Sequence, residues 1–333
     1  MAAHLGDRDL AVVDATECLA PPRTDGDYRV TGGRSLWEAG RIPGSRHIDL
    51  LTELSDGAVA YHFGYPGDAE LARRLGRCGI HNGTRVVTYD RDGGIWAARL
   101  WWMLRGIGID ARVLDGGWTA WTKAGHPVET GPRPEPGRPI STGHPISTGH
   151  PISTGEPATT GEAATTRTPA GRTGRPGGEC RATADGPVPA RVRPHPGSWA
   201  SRQDVEDIVA GRRDAALVCA LGHSAFQGTA PTRYTRRGHI PGSLNLPARG
   251  TVDELDRLLP RPELRALLAP VLVDSRPVVL YCGGGISACL LALALAAAGR
   301  DDISVYDGSL EEWTADPRLP VSTDPPAKGK AQA

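Results

Sequence analysis

Apolar residues fall along the chain in short uniform runs that alternate with longer segments of helical period. In the first half "LAVVDA" (10–15), "RVVTYD" (85–90) and "ARVLDG" (111–116) predict strands, while "DAELARRLGRCG" (68–79) and "GIWAARLWWMLRGIG" (94–108) predict helices. The second half repeats the order, with "AALVCA" (215–220), "PVVLYC" (277–282) and "ISVYDG" (303–308) as strands and a long apolar helix beginning near residue 286. There "TVDELDRLL" (251–259) predicts a further helix, opened by a capping box from Thr251 to Glu254. Strands that are apolar on both faces and separated by helices predict parallel sheets covered on both sides, which is the α/β class.

The two halves also match in sequence. "RIPGSRHIDL" (41–50) lies over "HIPGSLNLPA" (239–248), "RVVTYDRDGG" (85–94) over "PVVLYCGGGI" (277–286), and "VLDGGWTAW" (113–121) over "VYDGSLEEW" (305–313). The interval from Val86 to Val113 equals that from Val278 to Val305, so a duplication explains the pattern better than chance. Between the halves apolar periodicity vanishes: Pro, Gly, Ser and Thr dominate, and "HPISTG" occurs twice, at 144–149 and 150–155. Such a segment buries too little apolar surface to offset its ordering entropy. The expected division is therefore a domain over 1–130, a disordered linker over 131–195, a second domain over 196–325 and a tail over 326–333. His144 and His150 read as repeat content, not as metal ligands.

Composition narrows the chemistry. Lys plus Arg and Asp plus Glu are equal at 38 each, so no overall field points to nucleic acid or to an anionic membrane. The opening "MAAHLGDRDL" is no signal sequence, and the most apolar run, 290–298, is too short to span a bilayer. A cytoplasmic location is expected. The six cysteines, at 18, 78, 180, 219, 282 and 289, form no CxxC pair, which suits a reducing compartment and predicts neither a disulfide framework nor a zinc site.

One of these cysteines stands apart. Cys282 closes the strand 277–282, at the carboxyl edge where open α/β sheets bind ligands. The residues that follow, Gly283, Gly284, Gly285, Ile286 and Ser287, can turn tightly enough for successive backbone N–H groups to converge on the sulfur, while the next helix points its positive end the same way. Both effects favour the thiolate, the competent nucleophile. The alternative is a small buried core cysteine, against which the three glycines argue. Cys289, inside the apolar helix, is expected to be buried and inert, its only conceivable chemistry being capture of an oxidised Cys282. Phosphatases built on a cysteine loop carry an arginine six residues after the cysteine; here that residue is Ala288, and no Cys–His–Asn pattern is legible. A short cradle made of backbone suits a small anion, above all a sulfur atom carried as a persulfide.

With these residues in view the chain resembles the tandem-domain rhodanese-like sulfurtransferases that act on thiosulfate and 3-mercaptopyruvate. "CGGGISA" (282–288) is similar to their active loop, nearer the mercaptopyruvate type. "GHIPGSLNLP" (238–247), "YDGSLEEW" (306–313) and "FQGTAPTR" (226–233) are similar to their flanking and substrate-proximal signatures. The resemblance implies two rhodanese-like domains, each a parallel sheet with helices on both faces. It implies that Cys282 takes a sulfane sulfur from a small anionic donor and passes it to a thiol, to cyanide or to a sulfur-accepting protein, with no metal or organic cofactor. Asp90 stands at the cysteine position of the first domain, which is then a non-catalytic scaffold closing over the site. Arg233 matches one of two substrate arginines; the other is Ala225 here, leaving Arg237 or its neighbour Arg236 to compensate. Gly284 and Arg41 replace the hydroxyl and histidine of a proposed relay, and Cys219 replaces a strand aspartate. Ser287 is expected to cap its helix, His239 and Asn245 to fix the "HIPGSLN" turn, and Trp118 and Trp121 to pack between the domains. Two rivals stay open: a non-catalytic or sulfur-carrier module that binds partner proteins, and an oxyanion reductase or phosphatase variant on the same loop.

Overall fold

The computed structural model describes residues 1–7, 9–132 and 197–324; the segment read as a linker beyond its first two residues, its repeats, Cys180 and the tail lie outside these. The first half runs β1 (Leu10–Asp14), β2 (Glu17–Leu19), β3 (Val30–Gly32), α1 (Arg34–Ala39), β4 (Arg46–His47), α2 (Asp68–Arg77), β5 (Arg85–Tyr89), α3 (Ile95–Gly106), β6 (Ala111–Val113) and α4 (Gly117–Lys123). The second runs β7 (Trp199–Ala200), α5 (Arg202–Val209), β8 (Ala216–Cys219), α6 (His223–Phe226), β9 (Leu244–Asn245), α7 (Arg261–Leu267), α8 (Ala269–Leu272), β10 (Val278–Tyr281), α9 (Ser287–Ala298), β11 (Ile303–Tyr306) and α10 (Ser309–Ala315). The sheet orders are β4-β1-β5-β6 and β7-β11-β10-β8-β9, and the pairs within both are parallel. Read from opposite edges the two orders coincide, with β7 added to the second half, so the duplication seen in sequence is also one of topology.

Local sequence explains most elements. α2 turns Leu71, Ala72 and Leu75 inward, with Asp68 and Glu70 in its first turn and Arg74 and Arg77 in its last, matching the helix dipole. α3 and α9 carry apolar residues all round because each is covered twice, by its own sheet and by the other: the two helices pack together at the centre of one core shared by both halves. The "IPGS" motifs have matching roles. The Tyr89 hydroxyl, at the end of β5, meets Ser45 Oγ at 3.0 Å and accepts from the Ile42 amide; Tyr281, at the end of β10, meets Ser243 Oγ at 2.8 Å and accepts from the Ile240 amide. His239 and Asn245 hold this turn as expected, His239 Nδ1 lying 2.9 Å from the Phe226 carbonyl and Asn245 donating to the carbonyls of Cys219 and Leu221.

Three expectations are corrected. Residues 251–259 form no helix: after a short 3₁₀ turn (Ala248–Thr251) the chain makes a tight hairpin in which Val252 bridges Leu258. Asp253 Oδ1 accepts from the amides of Leu255 and Arg257, and Asp256 takes a left-handed φ of 60°; the Asp side chain offers the backbone a turn that outcompetes the helix. Trp118 and Trp121 pack inside the first half, around Val12, Ile42 and Tyr89. The aromatics between the halves are instead Trp102, whose indole donates to the Ser198 carbonyl, and Tyr65 stacked on Trp199 at 4.6 Å. Arg236 is not free to compensate for Ala225, since it donates to the carbonyls of Trp313, Thr314, Asp316 and Leu319 and staples the end of α10.

Candidate active site

Cys282 follows β10 directly and is buried, at 1 % exposure. The loop after it is held from behind. Two amides of α10 take its carbonyls, Leu310 N–H donating to Cys282 O (3.1 Å) and Glu311 N–H to Gly283 O (2.8 Å). The Ser309 hydroxyl accepts from the amides of Cys282 (3.1 Å) and Gly285 (3.0 Å) and donates to Tyr306 O. The Gly285 carbonyl receives Arg99 Nη1 (3.3 Å) from the first half and the Cys289 thiol. Gly283, Gly284, Ile286 and Ser287 line the cavity, and their amides have no acceptor among the described residues. Of the three glycines only Gly285 is demanded by the backbone: its φ is +72°, and a Cβ there would lie 2.6 Å from Asp307 O. Ser309 itself sits at φ 49°, a strained conformation for a non-glycine residue, kept where its hydroxyl clamps the loop.

The duplicated loop shows what such a cradle does. At the position of Cys282 the first half has Asp90, fully enclosed, whose Oδ1 accepts from the amides of Asp92 and Gly94 and whose Oδ2 accepts from Trp96 and Ala97, all at 2.8–2.9 Å. A carboxyl group thus occupies the seat. The sequence reading of Asp90 as the residue at the cysteine position acquires a structural content: its carboxyl fills the loop and takes four amide bonds, while burial pushes its pKa up from the ordinary carboxylate value.

Above Cys282 opens a cavity of about 110 Å³ built from both halves. Arg233 lines it, with Nε and Nη2 anchored on the Ala20 carbonyl of the first half (3.2 and 2.9 Å) and no described partner at Nη1. Arg237 stands outside the lining and pairs with Asp25 at 2.8 Å, so it ties the halves together. Ala225 lines the cavity, and a longer side chain there would project into it. Ser287 lines it too and does not cap α9, where no side-chain cap bond forms. Arg41 is buried far from this lining, donating to the Gly131 carbonyl and to Glu129 and stacking on Trp37 at 4.2 Å. Cys219 and Cys289 are enclosed, and burial pushes both thiols up to about 12, which leaves them protonated and inert.

Several functional groups carried no local signal in the sequence. Arg99, buried in α3, reaches across to Asp307 Oδ1 (2.6 Å) and the Phe63 carbonyl as well as to Gly285. Tyr28 and His62 stack face to face at 3.8 Å beside the cavity, and His62 Nδ1 lies 2.5 Å from Glu311 Oε1. The duplicated "DG" signature marked the Ser309 segment but not the task of its hydroxyl. No helix among the described residues is long and apolar enough to cross a membrane.

Comparison with known proteins agrees with this geometry. Residues 1–124 and 228–316 match the family model of the rhodanese-like domain. The chain is 31 % identical over 304 residues to the putative thiosulfate sulfurtransferase SseB of Mycobacterium tuberculosis, covering 87 % of this chain and 85 % of that one. It is 30 % identical over 286 residues to the human 3-mercaptopyruvate sulfurtransferase, covering 84 % and 79 %. Among solved structures, Escherichia coli SseA, described as having the rhodanese fold, superposes with a TM-score of 0.64 at 22 % identity over 92 % of this chain and 95 % of its own.

Proposed function

From the premise that this chain belongs to the rhodanese-like family and is a tandem-domain sulfurtransferase, we propose that Cys282 is its sulfur-carrying nucleophile and the amides of residues 283–287 its anion cradle. The observation that carries this reading is the Asp90 seat: in the copy of this loop that carries Asp in place of the cysteine, the amides of Asp92 and Gly94, which match Gly284 and Ile286, hold the carboxyl group together with two amides from the first turn of the following helix. Backbone donors that stabilise a fixed carboxylate equally stabilise a thiolate and the terminal sulfur of a persulfide.

The reaction runs in two halves. The Cys282 thiolate attacks the sulfane sulfur of thiosulfate, the S–S bond breaks and sulfite leaves with its electron pair; from 3-mercaptopyruvate the C–S bond breaks and the carbon takes up a proton to give pyruvate. Arg233, fixed on the Ala20 carbonyl, faces the donor's anionic end. The outer sulfur, resting among the loop amides, is then attacked by a thiol or by cyanide, and Cys282 leaves as thiolate. Arg237 serves the contact between the halves and takes no part in binding the donor.

Intact mass spectrometry tests the assignment. After incubation with thiosulfate or 3-mercaptopyruvate the wild type should gain about 32 Da, reversed by a thiol reductant, and Cys282→Ser should gain nothing while keeping its fold. An adduct that persists in Cys282→Ser overturns the nucleophile; no adduct in the wild type with either donor favours the carrier reading, in which a partner protein delivers the sulfur.

A further inference from the structure

The "YDGSLEEW" segment places two glutamates side by side, and the fold separates them. Glu312 faces the outer surface beside Tyr61 and Arg202. Glu311 faces the Cys282 cavity, with its side chain 14 % exposed. Its Oε1 is satisfied twice, by the His62 amide at 3.2 Å and by His62 Nδ1 at 2.5 Å. Its Oε2 is buried with no hydrogen-bond partner, and so is the hydroxyl oxygen of Tyr234, a second wall of the same cavity. Oε2 lies 3.2 Å from the place a Cβ would take on Gly284, and the Tyr28 hydroxyl oxygen lies 3.8 Å from that place. The bare Gly284 and the carboxylate therefore go together: the room left by the missing side chain is where Oε2 points.

A buried carboxylate oxygen without a donor is costly unless a ligand supplies one. Here it shares the cavity lining with Arg233 and the loop residues, so groups that suit a cation and groups that suit an anion meet in one small site. Thiosulfate brings no donor and 3-mercaptopyruvate only a weak thiol donor, so neither offers Oε2 a cation. We propose that Glu311 is a specificity residue that selects, as sulfur acceptor, a small thiol with an ammonium group beside its carboxylate, the chemistry of an α-amino thiol such as cysteine. Glu311 Oε2 accepts from the ammonium, Arg233 Nη1 donates to the carboxylate, and the thiol is directed at the sulfur on Cys282. The proposal rests on the persulfide reading above. In the transfer the acceptor sulfur bonds to the outer sulfur, the bond from that sulfur to Cys282 breaks, Cys282 keeps the electron pair as thiolate, and the acceptor's proton ends on the released persulfide. No external oxidant or reductant enters.

The test uses the full chain loaded with sulfur from thiosulfate, the load verified by mass, and discharged in single turnover by L-cysteine or by 3-mercaptopropionate, which has the same thiol and carboxylate without the amine. With rates corrected to equal thiolate concentration, cysteine should be faster by about tenfold or more in the wild type, as a charge-assisted bond warrants. Glu311→Gln should bring the two rates together, and so should Gly284→Ser, whose hydroxyl would satisfy Oε2 from within the protein. Equal rates in the wild type overturn the proposal, as does a preference that survives in the folded Glu311→Gln protein. Failure of the persulfide reading is a separate result, the absence of a sulfur adduct before any acceptor is added.

Discussion

At the scale of single residues, the reactivity of Cys282 depends on what its neighbours do with their hydrogen bonds. Ser309 is the clearest case. Its hydroxyl accepts from two loop amides, and it holds a left-handed φ to do so. Ser309→Ala should lower kcat/KM for sulfur transfer by roughly tenfold or more, because the cradle loses its fixed geometry. Leaving two buried amides unsatisfied should also cost about 1–3 kcal/mol of stability, measurable by urea denaturation. A variant with normal turnover would show that the α10 amides alone shape the loop. The cysteine and its glycines were legible in sequence because the loop is continuous. Ser309 was visible only as part of a repeated signature, and Glu311, His62 and Tyr28 were not legible as a group, since they come from separate segments that meet only on folding.

At the scale of elements, apolar runs located β1, β5, β6, β8, β10 and β11 and the doubly covered helices α3 and α9, since central strands and enclosed helices cannot be made from polar sequence, while one-faced periodicity located α2. The method failed at residues 251–259, where leucine spacing suited a helix but aspartates favoured turns. That hairpin is further fixed by partners in the other half: the Leu258 amide donates to Asp115, and the Thr119 hydroxyl donates to Asp256. The ladder of β2 with β3 contains a second conflict between pattern and chemistry. Glu17 is buried there, Oε1 accepting from the Leu50 amide and Oε2 without a partner. Burial, aided by repulsion from Asp49, pushes its carboxyl up to about 8. A carboxyl whose folded pKa is raised holds its proton better in the folded chain, so stability declines as pH rises from the unfolded value near 4.5 through 8. Glu17→Gln should therefore raise Tm at pH 9 and leave it nearly unchanged at pH 5; parallel shifts at both pH values would locate the titrating group elsewhere.

At the scale of the molecule, the two halves form one catalytic unit. α3 and α9 share a core, and the Arg99–Asp307 pair, at 1 % and 11 % side-chain exposure, lies between them with Tyr65 and Tyr61 completing the shell of Asp307. Arg99→Met should cost about 3–5 kcal/mol in denaturant titration, because it leaves Asp307 buried without its counter-charge. A loss below about 1 kcal/mol would mean that the tyrosine donors suffice. The same interface predicts that cleavage at a protease site introduced between residues 133 and 196 leaves the fragments together on size exclusion, with activity retained; fragments that elute apart would show that the covalent connection holds them. The Arg99 contact with the Gly285 carbonyl has a further consequence for inheritance. The halves arose as copies, yet the sulfur chemistry of the later copy now leans on a guanidinium encoded in the earlier one. A descendant that kept only the second half would lose this brace and would need another donor for the Gly285 carbonyl.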